Sequence, residues 1–88
     1  MCMTRRPEVE KFADLMEEVL RANDWKGGWA NDSIQWFFLK LIEEVAEIGL
    51  LIREPSLYKK PVWENLIKNE AADVANVAMM IADKTGEL

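Results

Sequence analysis

Apolar residues recur at spacings of three and four along three stretches of this chain, and glycine or proline separates each stretch from the next. That period belongs to helices with one buried face, and almost no segment carries the period-two alternation of a strand. Residues 1–6 read as a frayed lead-in, and Pro7 suits a first helical turn because its missing N–H has no partner there anyway. Val9, Phe12, Leu15, Met16, Val19 and Leu20 carry a first helix to about residue 23. Asn23-Asp24 and Lys26-Gly27-Gly28 end it. Asn31, Asp32 or Ser33 can cap a second helix that runs to about Arg53, where Pro55 closes it. Residues 54–60 form a short connection with a helical turn around Leu57 and Tyr58. Pro61 opens a last helix that reaches about Lys84, with Gly86 as its terminator. The predicted fold is all-α: one domain over residues 1–88, with helical hairpins packed into a bundle.

A chain of 88 residues buries a modest fraction of its surface, so association or a bound ion often helps to stabilise it. The formal net charge of -5 argues against bulk nucleic acid, which needs a basic stripe. It leaves room for a nucleotide, because a divalent cation bridges carboxylates to phosphates. Cys2 is the only cysteine and histidine is absent, which excludes an intramolecular disulfide, a structural zinc site and a histidine general base. No apolar run reaches the ~18 residues of a membrane span and no signal-peptide pattern stands at the start, so no membrane association is expected. The expected location is cytoplasmic.

On the second helix, Ile34, Phe38, Leu41, Val45, Ile48 and Ile52 define one core stripe. The opposite side is also apolar, with Trp36, Leu39 and Leu50, and among them lie Glu43 and Glu47, flanked by Glu44. Apolar character on both sides predicts burial against two surfaces, one from another subunit of a homodimer or homotetramer. On the last helix the stripe is Trp63, Leu66, Ile67, Val74, Val77 and Ile81. Glu70 falls in its middle and Asp73 lies one turn on, at its edge. A carboxylate buried alone is costly, so it is paired, protonated or bound to a metal.

Taken singly these acids are unremarkable. An EExxE stretch is commonly a solvated helix face, and an i, i+4 pair beside Lys40 is common surface decoration. Two such pairs on successive helices, each within an apolar surface, are harder to explain without a cation. Oxygen-only ligands select a hard ion, which means magnesium with manganese as a competent substitute. The di-iron bundle pattern, glutamate with histidine three residues later, cannot be made here. Magnesium keeps several waters and bridges to phosphates, which points to phosphate-ester or phosphoanhydride chemistry.

At these residues the chain resembles the MazG-like, all-α nucleoside triphosphate pyrophosphohydrolase superfamily. The EExxE motif is Glu43-Glu44-Val45-Ala46-Glu47, and the ExxD motif is Glu70-Ala71-Ala72-Asp73. Asp24-Trp25-Lys26-Gly27-Gly28-Trp29 looks like the KGGW-type loop of small stand-alone members. The run from Glu70 through Asn76 to Met79-Met80-Ile81-Ala82-Asp83 is similar to their last helix, so the likeness spans roughly residues 8–86. The resemblance implies hydrolysis of a (deoxy)nucleoside triphosphate between its α and β phosphates, in nucleotide-pool clearance. It implies magnesium held by Glu44, Glu47, Glu70 and Asp73. Glu43 then acts as a further ligand or orients the attacking water, so Glu43 and Glu44 are the candidate catalytic residues.

Three further side chains are candidates for contact with substrate. Lys26 can reach phosphate, although a loop lysine is usually just solvated. Trp29, like Trp25 and Trp36, can stack on a base, although tryptophan in a small helical domain more often packs in the core. Asn76, one turn after Asp73, can donate to sugar, base or phosphate. Met79-Met80 reads as packing. Two alternatives stand beside this reading. One is a pyrimidine-specific relative, a deoxyuridine or deoxycytidine triphosphate hydrolase, with phosphoribosyl-ATP pyrophosphohydrolase more remote. The other is a non-catalytic helical module whose acids meet a partner's basic surface, against which Glu70 in the apolar stripe speaks.

Overall fold

The computed structural model describes residues 4–23 and 28–86. Cys2, Trp25, Lys26 and most of the predicted glycine break lie outside the described residues. Three α-helices cover Pro7–Ala22 (α1), Ile34–Arg53 (α2) and Lys60–Asp83 (α3), with a 3₁₀ turn at Pro55–Leu57. No strand occurs among the described residues, so the protein is all-α, as the periodicity predicts.

The helix ends follow from local chemistry. Pro7 stands in the first turn of α1, where Glu8 and Glu10 meet the positive end of the helix dipole. Of the three candidate caps of α2 it is Ser33 that serves, its Oγ accepting the N–H of Trp36 at 3.0 Å. Pro55 opens the 3₁₀ turn, which includes Leu57, while Tyr58 is already extended. Beyond α3, Gly86 has φ +81°, a left-handed conformation that side chains disfavour.

Helix α3 packs against both α1 and α2. Ala72 on α3 is completely buried, its small side chain allowing a close approach. Trp63 Nε1 donates to the Leu51 carbonyl at 2.6 Å, tying the start of α3 to the end of α2. Asn76 Nδ2 donates to the Met16 carbonyl at 3.1 Å and ties α3 to α1. At the far end, Trp29 Nε1 donates to Asp83 Oδ2 at 2.9 Å and Lys84 Nζ to the Ala30 carbonyl at 2.6 Å. These two bonds hold the α1–α2 loop against the end of α3.

The predicted stripe of α3 is at least half-buried throughout, but that of α2 is not the face that packs. Phe37, Lys40, Leu41, Glu44, Ile48, Gly49 and Leu51 are the covered positions, whereas Ile34, Phe38, Val45 and Ile52 are exposed. Only Leu41 and Ile48 of the predicted stripe are covered. One helix covers only one arc of another. The arc facing α3 contains Glu44, so the more apolar arc is left in solvent. Among the described residues the buried apolar side chains are Phe37, Ala72 and Val77 alone.

The chain is accordingly open. Its radius of gyration is 14.5 Å, against about 12 Å for a compact domain of this length. Its accessible surface is 7061 Å², against about 5,300 Å² for a compact monomer of this mass. No helix among the described residues is long and apolar enough to cross a membrane.

Candidate metal centre

Glu44 and Glu47 stand one turn apart on α2, and Glu70 reaches them from α3. Carboxylate oxygens of all three lie within 4.8 Å of one another. Glu44 is only 7% exposed, Glu70 is half-buried and Glu47 is exposed. Ionised pairs at such separations repel by about 3 kcal/mol at an effective dielectric constant near 20. The protons respond accordingly. Burial pushes the Glu70 carboxyl up to about 7, helped by the charges of Asp73 and Glu47, a hydrogen bond shared with Glu47 and the charge of Glu44. Burial also raises Glu44, with the charges of Glu47 and Asp73 adding to it and Lys40 opposing.

The donor set fits a hard divalent cation. All three groups are carboxylates, no histidine or thiolate joins them among the described residues, and Glu70 Oε2 is buried without a hydrogen-bond partner. Asp73, one turn beyond Glu70, acts electrostatically on both Glu44 and Glu70. Glu43 is not brought into the group. Its side chain is exposed, and it lies 3.5 Å from Lys40 Nζ.

Glu44, Glu47 and Asp73 open onto a cleft of about 530 Å³ between the end of α1, the α1–α2 loop, α2 and α3. That volume suits a small ligand. Besides these acids, the apolar side chains of Val19, Leu20, Phe37, Val77 and Met80 line the cleft. Trp29 lines the cleft with its N–H committed to Asp83. Trp36 also lines it, edge-on to Phe37 at a centroid distance of 5.1 Å.

Asn76 lines the cleft as well. The residue is 3% exposed, its Nδ2 is committed to the Met16 carbonyl, and the atom left without a partner is the acceptor Oδ1. Sequence reasoning treated Lys40 only as a neighbour of the acids, yet it lines the cleft with its ammonium 3.4 Å from Glu44. Its i, i+4 spacing from Glu44 was the signal. Burial lowers the Lys40 pKa, but the Glu44 and Glu43 carboxylates outweigh this and leave it raised. Lys26 lies outside the described residues.

The chain matches no protein-family description, no curated protein and no solved structure.

Proposed function

We propose that this protein hydrolyses (deoxy)nucleoside triphosphates to monophosphate and pyrophosphate, with magnesium held by Glu44, Glu47, Glu70 and Asp73. The observation that carries the reading is the meeting of three carboxylates from two helices within 4.8 Å, beside a cleft lined in part by apolar side chains. A nucleotide calls for both kinds of lining, a cation site for its polyphosphate and apolar side chains for its flat ring. The likeness of the EExxE and ExxD segments to the MazG-like superfamily supports the choice of reaction.

Magnesium, when bound, neutralises the triphosphate and stabilises the charge that develops during displacement. The protein does the rest. Glu70 would have to be ionised to hold the cation, because a ligating carboxylate carries no proton. Val19, Leu20, Phe37, Val77 and Met80 keep water from the base, and Trp36 offers a ring face. Asn76 Oδ1 accepts a hydrogen bond from a ligand N–H or O–H. Glu44 takes the proton of the water that attacks the α phosphorus, and the bond from that phosphorus to the bridging oxygen breaks, releasing pyrophosphate. Glu43, exposed beside Lys40 and outside the three-carboxylate group, would act only as an orienter of the attacking water.

The test is incubation with a deoxynucleoside triphosphate and magnesium. Monophosphate and pyrophosphate are expected in equal amounts, with isotope from labelled water on the monophosphate. Diphosphate and orthophosphate would mean the other bond is cleaved. Label in pyrophosphate would place the attack at the β phosphorus.

The reading includes self-association, as homodimer or homotetramer, and a cytoplasmic location where nucleotides are plentiful. The surface in excess of a compact monomer exceeds the roughly 800 Å² per partner that a standard interface needs. The outer arc of α2 offers apolar side chains for such an interface, with Phe38, Leu39, Ile42 and Val45 all exposed. That arc also favours a second reading, a non-catalytic interaction module. Binding of magnesium without turnover of any nucleotide would select the module.

A further inference from the structure

Lys40 stands one turn before Glu44 on α2, with its ammonium 3.4 Å from Glu44 Oε1 and 3.5 Å from Glu43 Oε2. Its side chain is 39% exposed while that of Glu44 is 9%. Among the described residues that line the cleft, Lys40 is the only lysine or arginine. A buried carboxylate held by one lysine is ordinarily a fixed ion pair. Here the carboxylate also belongs to the group that converges from α2 and α3. A divalent cation would approach Glu44 to about 2.1 Å. An ammonium on the same carboxylate would then lie within a few ångströms of it, and the two positive charges would repel. They compete for Glu44. The lysine is able to yield, because its four-carbon stem is flexible and its head is partly solvated.

We propose that Lys40 is a displaceable counter-ion that neutralises Glu44 in the cation-free protein and, once a divalent cation takes that carboxylate, turns into the cleft to bind the phosphates arriving with the cation. This rests on the metal reading of the site. It makes a divalent cation accompanied by a polyphosphate the preferred ligand, and the bare cation a poorer one. The coupling is reciprocal: polyphosphate, by engaging Lys40, raises the affinity for the cation.

Calorimetry on the full chain with magnesium alone, and then with magnesium tripolyphosphate, tests this through two effects of opposite sign. Lys40→Met is expected to bind magnesium alone roughly fivefold more tightly, because the competing charge is gone. The same variant is expected to bind magnesium tripolyphosphate roughly tenfold more weakly, and Lys40→Arg to retain that binding. Magnesium affinity that is unchanged or reduced in Lys40→Met would make the lysine a fixed structural pair and overturn its role, leaving the metal reading intact. Unchanged tripolyphosphate affinity would do the same. A wild-type chain that binds neither magnesium nor magnesium tripolyphosphate overturns both readings together. Should Lys40→Met fail to fold, side-chain NMR of the wild type decides. The Lys40 resonance is expected to shift on adding magnesium and again on adding tripolyphosphate. A resonance unmoved by both overturns the proposal.

Discussion

The two sides of α2 are dressed the wrong way round for a lone chain. On the covered side Glu44 is 7% exposed, while on the outer side Phe38 is 57% and Leu39 63% exposed. Burying a carboxylate and leaving a phenyl ring in water are each unfavourable, and one helix does both. The difference teaches that the two sides answer to different partners. The carboxylate side is offset by charge: Lys40 now, and a divalent cation in the proposed working state. The outer side lacks apolar contact, which a second copy of the chain would supply.

The largest expected effect breaks the carboxylate side alone. Glu47→Gln combined with Glu70→Gln should lower turnover of a nucleoside triphosphate by at least about a hundredfold, through lost cation affinity. Calorimetry should show magnesium binding abolished while the assembly stays intact. Unchanged binding would remove these residues from the metal site. Relief of mutual repulsion should also raise the melting temperature of the cation-free variant.

The outer side is broken next. Phe38→Glu with Val45→Glu places charges on the exposed arc, and light scattering should report monomers where the wild type is oligomeric. Truncated helix packing at an interface of this kind costs about 2–4 kcal/mol. A wild type that is monomeric at micromolar concentration would refute the assembly, and the arc would then be open to a different protein.

A smaller effect comes from pH. The Glu70 carboxyl rises from 4.5 to about 7 on folding, through burial first and then the charges of Asp73 and Glu47. Between those values the folded chain binds more protons than the unfolded one. Stability of the cation-free protein therefore falls as pH rises from 4.5 through about 7, and levels off above. Solvent screening leaves about 1–2 kcal/mol of this change, visible as a lower melting temperature at about pH 8 than at about pH 5. Saturating magnesium should reverse the slope, because the ion requires ionised ligands. A slope that survives Glu70→Gln unchanged would assign it to another group.

The smallest effect touches both sides equally and serves as the control. Ser33→Ala removes the cap on the Trp36 N–H and should cost about 1 kcal/mol. Cation affinity and oligomeric state should both be unaltered by it.

Much of the fold could be read from the residues. Pro7, Ser33, Pro55 and Gly86 act through local backbone chemistry, so each helix end fell within about a residue or two of its expected place. That acids of α2 and α3 gather was also legible, since Glu43, Glu44 and Glu47 fall within about one turn and Glu70 stands inside an apolar stripe; that Glu44, Glu47 and Glu70 are the three that meet was not. The rotation of α2 was not. Its sequence is apolar over most of its circumference, so periodicity alone could not tell which arc would meet α3. The exclusion of Glu43, the entry of Lys40 into the cleft and the orientation of the Asn76 amide follow from that rotation and from the contact with Met16.

The three helices, their ends and the acids spaced a turn apart depend on contacts within a few residues, so the chain's local chemistry was enough to set them. Packing between helices chose which arc of α2 is covered, which acids meet, and which side chains line the cleft. Those choices depend on how α3 fits between its neighbours, and the fit is set by side-chain shape across helices that are far apart along the chain.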